Sequence, residues 1–529
     1  MGVREPAESA RELAFAGLAD PFGAGGPERD RPREACGVVA VHAAGASASR
    51  LAYFGLCALQ HRGQESAGVA AWSGGALRVH KGMGLVAEVF REEDLGRLPG
   101  ERAIGHVRYG TSGASDLTHA QPIAVDGPDG PLALAHNGNL TNAAPLRAAL
   151  AARGVRFAGH GDTEVIAWHL AHDRGPWEER LARFMAVAEG AYSLVVLTPE
   201  ATFALRDRHG FRPLCLGALP PEHGGGHVVA SESAGLGSLG ARYLREVAPG
   251  EIVRVDAAGA HSLTPALPPR PAALCVFEYV YFARPDTRLE GQVVHQVRQR
   301  LGRELAREAP CPDADVVVPV PDSSVAAAIG YAAESGAPFN EGLVKDGHIG
   351  RTFIAPTDAQ RQAGVRLKYQ ALDQNVAGRR VVLVDDSIVR GTTAGPIVAL
   401  LREAGAREVH VRISSPPVRH PCFMGVDMST YGELVAHRLD VAAIGRHIGA
   451  DSLAFLSHEG LLRAVTAGIT EGPRGHCSAC FTGRYPLAVP TTDEAAEARA
   501  REAAGAPAPR GDGASGPMST ALTKRPDGV

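Results

Sequence analysis

VVLVDDSIVRGTTAGPIVALLREAG, residues 381–405, decides how the second half of this chain folds. Val381, Val382, Leu383 and Val384 are apolar and mostly β-branched, which suits a strand buried on both faces of a parallel sheet. Two acids follow, Asp385 and Asp386, and then a run rich in hydroxyls and glycine over residues 387–393. Ile397, Val398, Leu400 and Leu401 recur at helical spacing, Pro396 is tolerated in a first turn, and Gly405 closes the helix. Strand, loop and helix in that order aim the loop N–H groups and the helix N-terminus at one spot, which suits a phosphate. The acid pair suits ribose hydroxyls or a magnesium ion, because hard oxygen ligands serve both. Any strand–turn–helix with solvated acids at the strand end shares these features, but the nine-residue string VDDSIVRGT is far more specific than a glycine-rich turn.

That string resembles the ribose-phosphate loop of type I phosphoribosyltransferases, which bind phosphoribosyl pyrophosphate (PRPP). The resemblance implies an α/β domain with a parallel sheet. It places Asp385 and Asp386 at magnesium, and Ser387, Arg390, Gly391, Thr392 and Thr393 around the substrate. A second strand-to-loop site precedes it: DVVVPV (315–320), then Pro321, Asp322, Ser323 and Ser324, then an Ala-rich run. Asp-Ser-Ser is a good N-cap, and a Ser-rich loop before a helix is also an anion-binding geometry. By the same resemblance Ser323 matches the metal site. Between the two loops lies a basic, glycine-punctuated segment from Lys345 to Tyr369, which is expected to close over pyrophosphate and exclude water. The family usually reads Lys-Asn-Arg-Tyr-Val-Gly-Arg-Thr-Phe-Ile there, whereas this chain has Asp346, Gly347 and His348 after Lys345.

A chain of 529 residues is long enough for two or more domains with full cores. A net charge of −4 gives no electrostatic case for nucleic acid or an anionic membrane as partner. No apolar stretch is long enough to span a bilayer, and the first twenty or so residues lack a signal peptide's apolar core. The expected location is the cytoplasm. In that reducing compartment the eight cysteines are expected to be catalytic, metal-bound or buried rather than paired.

Residues 1–35 are rich in Ala, Gly, Pro, Arg and Glu and read as a disordered leader. Cys36 and Gly37 then open CGVVAVHA, a predicted strand. An apolar helical stretch over residues 51–59 runs into Gln60-His61-Arg62-Gly63-Gln64-Glu65-Ser66-Ala67-Gly68. Further on stand Gly105-His106-Val107-Arg108-Tyr109-Gly110-Thr111, Ala135-His136-Asn137-Gly138-Asn139-Leu140 and Gly161-Asp162-Thr163-Glu164. Short apolar strands at 132–135, 193–197, 227–230 and 252–255 predict a sandwich of sheets with helices rather than a doubly wound fold. Taken singly, these motifs are turn sequences or surface residues. In this order after a cysteine they resemble the glutamine amidotransferase domain of N-terminal-nucleophile hydrolases, over about residues 36–255.

The chemistry explains why such a cysteine must come first. A thiol needs a base at neutral pH, and a free α-amino group of pKa about 8 supplies one where a peptide nitrogen cannot. Residues 1–35 are therefore expected to be a propeptide removed to expose Cys36. The resemblance gives Arg108 the α-carboxylate of glutamine and Asp162 its α-ammonium. Asn137 and the N–H of Gly138 become the oxyanion hole. That family usually has an aromatic residue and then glycine after Cys-Gly-Ile/Val, whereas this chain has Val39 and Ala40, which fit a strand.

Residues 256–273 have linker or edge composition, and Cys275 opens a predicted strand running into a turn at Asp286. Cys477 and Cys480 form a C-x-x-C, with Cys275 and Cys422 far upstream. Such thiols suit redox chemistry, zinc or an iron–sulfur cluster, and spacing alone does not choose. The contexts Pro421-Cys422-Phe423 and Cys480-Phe481-Thr482-Gly483 resemble the amidophosphoribosyltransferases that carry a propeptide and a 4Fe–4S cluster. Cys57, Cys215 and Cys311 are left as buried or bystander thiols.

The resemblance to the amidophosphoribosyltransferase family runs from Cys36 to about Tyr485. It implies a propeptide (1–35), an αββα glutamine amidotransferase domain (36–262) and a phosphoribosyltransferase domain (263–486). A disordered tail (487–529) follows. It further implies that ammonia from glutamine displaces pyrophosphate from PRPP, giving 5-phosphoribosylamine, the first committed step of purine synthesis. Magnesium and the cluster would be cofactors, purine nucleotides inhibitors, and a homotetramer the assembly. A PRPP-binding regulator without catalysis is the alternative; it would not need Cys36, Arg108 and Asp162 together.

Overall fold

Alternation along the first strand explains the architecture of the N-terminal half. In the computed structural model, β1 (Gly37–His42) sends Val38 and Ala40 to one face and Val39 and Val41 to the other. Both sets are buried, so this sheet is covered on both sides. The structure describes residues 36–109, 116–346, 366, 368–428, 430–472, 475–489 and 518–523, the last stretch as backbone only.

Further strands of this half are β2 (Ser66–Ser73), β3 (Ala76–Met83), β4 (Arg102–Arg108), β5 (Ile123–Gly127) and β6 (Gly130–Leu140). They continue with β7 (Gly190–Leu197), β8 (Thr202–Arg206), β9 (Cys215–Ala218), β10 (His227–Ala230), β11 (Arg242–Glu246), β12 (Ile252–Asp256) and β13 (Gly259–Leu263). One sheet runs β11-β9-β10-β1-β4-β2-β3, and the second runs β13-β12-β8-β7-β6-β5. Val38, Ile104, Ala135, Val195 and Val229 fill the space between the sheets. The helix Ala48–Ala58 covers the outer face of the first sheet through Leu51, Ala52 and Leu56, and the helices Asp162–His172 and Trp177–Val187 cover the second. The result is the expected αββα sandwich. Val39 packs against Gly55 of the first helix and Ala40 lies between the sheets, so the departure from the usual family pattern is absorbed by core packing.

The second half holds a parallel sheet of β17 (Val316–Pro319), β20 (Arg380–Asp385), β21 (Glu408–Ile413) and β22 (Ser452–Phe455) in the order 17-20-21-22. Smaller pairs complete it: β14 (Leu274–Cys275) with β23 (His476–Cys477), β15 (Arg288–Leu289) with β16 (Gln292–Val293), and β18 (Leu343–Lys345) with β19 (Tyr369–Ala371). Along β20, Val382 and Val384 face one apolar core while Val381 and Leu383 face another, as a strand covered on both sides requires. The helix Ala394–Glu403 follows its loop and ends before Gly405, whose φ of +90° closes it.

Two expectations are corrected. Residues 275–286 are not one strand: after Cys275 the chain makes a helical turn over Glu278–Phe282. The turn brings Glu278 inward, where its carboxylate meets two buried guanidiniums. The tail is also not structureless throughout. Leu487 and Val489 pack against a small core with Phe211 and Met424, and β24 (Met518–Thr523) pairs antiparallel with β3. An edge strand offers unpaired backbone groups, and a short segment of extended propensity satisfies them. Residues 256–273 contain an edge strand, β13, and no further regular element before β14.

Candidate active site

The register of β1 against β4 pairs Gly37 with Val107, bringing Cys36 and Arg108 to the same end of the first sheet. Asn137 and Gly138 lie near the end of β6 in the second sheet, and Asp162 is the first residue of its helix. Cys36, Arg108, Gly138 and Asp162, from four separate stretches of sequence, line one pocket with Tyr109 and His119. The Cys36 thiol points to the Tyr109 carbonyl at 3.7 Å, and its own carbonyl accepts from Arg62 Nε at 3.2 Å.

The Arg108 guanidinium donates through Nη1 to Glu65 at 2.6 Å, which holds its planar fork in the pocket wall. Asp162 accepts from the Leu140 N–H at 2.9 Å and lies 3.6 Å from His136 Nδ1. Burial pushes the Asp162 carboxyl up, but His136 and the N–H groups of Leu140 and Thr163 outweigh it and hold the carboxyl below its ordinary value. Asn137 is 1% exposed, and neither of its amide atoms has a hydrogen-bond partner among the described residues. Gly138 has φ +147°, and a Cβ there would meet the Ala191 carbonyl oxygen at 2.0 Å.

Sequence reasoning passed over several residues that hold this pocket. Glu65 orients Arg108, and Gln121 ties β6 to the helix by accepting from His136 N at 2.7 Å and donating to Thr163 Oγ1 at 3.1 Å. Arg62, wholly buried, pairs with Glu232 and bidentately with Glu278 at 2.8 and 2.9 Å. Its place in the His-Arg-Gly-Gln-Glu string was the one available signal.

The second site sits at the end of β20. Asp386 accepts from Ser323 Oγ and Ser387 Oγ, and Asp385 accepts from Ser324 Oγ at 2.8 Å. The two strand-to-loop motifs are thus locked together, and Ser324, which is fully buried, joins Ser323 there. These oxygens are the hard donors magnesium takes, and that ion typically needs only one or two carboxylates beside substrate phosphates. Gly391 has φ +77° in the loop, and Thr392 and Thr393 lead into the helix. Arg390 instead bonds Glu433, with Nε at 3.0 Å. Lys345 reaches Asp322 at 2.7 Å, while residues 347–365 of the expected closing segment lie outside the described residues, as do 1–35.

Cys275, Cys422, Cys477 and Cys480 line a single largely apolar cavity with Phe211 and Phe277. Cys275 and Cys477 are register partners in the β14–β23 pair. Burial pushes the Cys275 thiol up to about 11 against the pull of Arg212, and raises Cys477 and Cys480 as well. Four soft sulfurs in one dry cavity fit an iron–sulfur cluster. No group of three or more His, Cys, Asp or Glu placed to hold a single metal ion occurs among the described residues. Cys215 is buried, Cys311 partly so, and Cys57 exposed. No helix among the described residues is long and apolar enough to cross a membrane.

A family model for the glutamine amidotransferase domain matches residues 111–237. The amidophosphoribosyltransferase of Synechococcus elongatus is 48% identical over 464 residues, covering 87% of this chain and 93% of its own. That of Bacillus subtilis is 46% identical over 459 residues, 86% of this chain and 95% of its own. The solved glutamine PRPP amidotransferase from B. subtilis, complexed with ADP and GMP, superposes with a TM-score of 0.80 at 44% identity, covering 86% of this chain and 98% of that one. Similarity of this degree spans both halves, and the chain belongs to the amidophosphoribosyltransferase family.

Proposed function

We propose that this amidophosphoribosyltransferase hydrolyses glutamine at Cys36 and uses the ammonia to displace pyrophosphate from PRPP, giving 5-phosphoribosylamine and glutamate. The observation that carries the residue assignment is the convergence of Cys36, Arg108, Gly138 and Asp162 on one pocket. Removal of residues 1–35 frees the α-amine of Cys36, which takes the thiol proton as sulfur attacks the amide carbon. Arg108 binds the α-carboxylate and Asp162 the α-ammonium. Charge developing on the carbonyl oxygen goes to the Asn137 amide and the Gly138 N–H, a contribution worth about 2.7–4 kcal/mol per donor. The protonated amine then gives its proton to the departing nitrogen, ammonia leaves, and water hydrolyses the thioester to glutamate.

At the second site the loop 387–393 holds PRPP by backbone N–H groups and by Ser387, Thr392 and Thr393, with Arg390 at its edge. Ser323, Asp385 and Asp386 would hold magnesium, which would supply positive charge beside the pyrophosphate. Cys275, Cys422, Cys477 and Cys480 would hold a 4Fe–4S cluster by thiolate ligation, and bound iron would offset the cost of ionising Cys275, Cys477 and Cys480, whose thiols burial pushes up. Ammonia must pass between the sites without meeting bulk water, a competing nucleophile. Inhibition by purine nucleotides, a cytoplasmic location and a homotetramer complete the reading. The first is supported by the B. subtilis relative, solved with ADP and GMP.

The test is anaerobic incubation with PRPP, magnesium and amide-labelled glutamine, comparing wild type with Cys36→Ala. Label in phosphoribosylamine from wild type, with free ammonia alone rescuing the variant, is the expected result. No PRPP-dependent product from either nitrogen source would refute the assignment. An N-terminus still at Met1 on glutamine-active enzyme would refute the propeptide.

A further inference from the structure

The segment 421–428, which carries Cys422, lies against the strand end that forms the oxyanion hole. β6 is paired on both edges only as far as Leu134; among the described residues, its positions 135–140 have a strand partner, β7, on one edge alone. Segment 421–428 supplies further contacts there. Asn139 Nδ2 donates to the Phe423 carbonyl at 3.0 Å. Gly425, at φ +89°, comes so near that a Cβ on it would lie 2.8 Å from the Gly138 carbonyl carbon and 2.9 Å from its oxygen. Only glycine combines that backbone conformation with that approach.

The segment is itself held from beneath. Arg212, fully buried, donates to the Met424 carbonyl through Nη2 at 2.7 Å and Nε at 3.2 Å. Its Nη1 lies 3.4 Å from Glu278, the carboxylate that also receives Arg62, and Arg62 donates to the Cys36 carbonyl. One buried carboxylate from the second half of the chain therefore braces both the nucleophile's backbone and the segment against the oxyanion strand.

We propose that Gly425 and Asn139 are positioning residues for glutamine hydrolysis: through them segment 421–428 fixes the Gly138–Asn139 peptide, and with it the orientation of the adjoining Gly138 N–H that receives the oxyanion. The proposal rests on the reading of Asn137 and Gly138 given above. Neither residue lines the pocket that Cys36, Arg108 and Asp162 share. Their effect falls on the transition state, because a tilt of that peptide misplaces a donor without altering Arg108 or Asp162.

The test uses full-length protein carrying Gly425→Ala, Asn139→Ala or, as the control for the oxyanion hole itself, Asn137→Leu. The measurements are glutamine kcat and KM, ammonia-dependent synthesis, glutamate binding, and binding of a γ-aldehyde analogue of glutamine, whose tetrahedral adduct with Cys36 presents its oxygen to the hole. The expected result for both positioning variants is a kcat lower by about 10–100-fold with KM little changed. Aldehyde binding should weaken in parallel, while glutamate binding and ammonia-dependent synthesis hold. The proposal is overturned if both variants keep wild-type kcat and aldehyde binding while Asn137→Leu loses them. It is equally overturned if ammonia-dependent synthesis falls in step, which marks general unfolding. A silent Asn137→Leu would overturn the oxyanion assignment first, and the positioning role with it.

Discussion

Replacing Asn137 with leucine separates catalysis from stability in a way few substitutions do. The residue is 1% exposed, and neither amide atom has a hydrogen-bond partner among the described residues that the substitution would break. Leucine has nearly the same shape, so stability should stay within about 1.5 kcal/mol of wild type. The transition state loses one oxyanion donor, which lowers glutamine kcat by about 10²–10³-fold, or about 2.7–4 kcal/mol. Ammonia-dependent synthesis, which does not use this pocket, should be unchanged. The assay is steady-state glutaminase kinetics beside urea denaturation and the ammonia reaction. A kcat within about threefold of wild type, a difference of only ~0.7 kcal/mol, would refute the oxyanion role. A fall in stability with kcat kept would show that Asn137 is a packing residue.

Glu278→Gln removes the charge that two wholly buried guanidiniums share, and the unfolding free energy should fall by about 3–5 kcal/mol. Denaturation curves that differ by less than ~1 kcal/mol would mean that Glu232 alone neutralises the network. Ser324→Ala frees the Asp385 carboxylate from a 2.8 Å bond and should weaken apparent magnesium affinity by about 10–100-fold in ammonia-dependent synthesis, with glutaminase unaffected. An unchanged magnesium titration would exclude that orienting role. The Asp162 carboxyl is held below its ordinary value, so it stays ionised above about pH 4 and loses its charge only on further acidification. KM for glutamine should accordingly stay flat from about pH 7 to 5 while kcat carries any acid loss through the Cys36 α-amine. A tenfold rise of KM across that window would show that Asp162 titrates within it.

Legibility in the sequence followed chain proximity. β20 and its loop were readable because strand pattern, acids, hydroxyls and helix spacing lie within 25 consecutive positions, 381–405. Local order alone set them next to one another. The turn at Glu278–Phe282 was misread as strand because its aromatic, β-branched composition favours extended backbone. Burial of the Glu278 charge against Arg62 and Arg212, residues more than 60 positions away, prevailed over that propensity. The tail strand Met518–Thr523 was invisible for a similar reason: its partner is an edge about 440 residues upstream.

The sequence alone carried the local strings: a cysteine opening a strand, an Asn-Gly pair, a strand–loop–helix suited to phosphate and a C-x-x-C each lie within a few consecutive positions. Only the tertiary structure decided how those strings act together. It brought Arg108 and Asp162 to Cys36, tied Asp386 to Ser323 across two strands, and set Gly425 against Gly138. Such pairings depend on sheet register and close backbone approach, which arise when distant segments bury apolar surface together, and no single stretch of sequence encodes them.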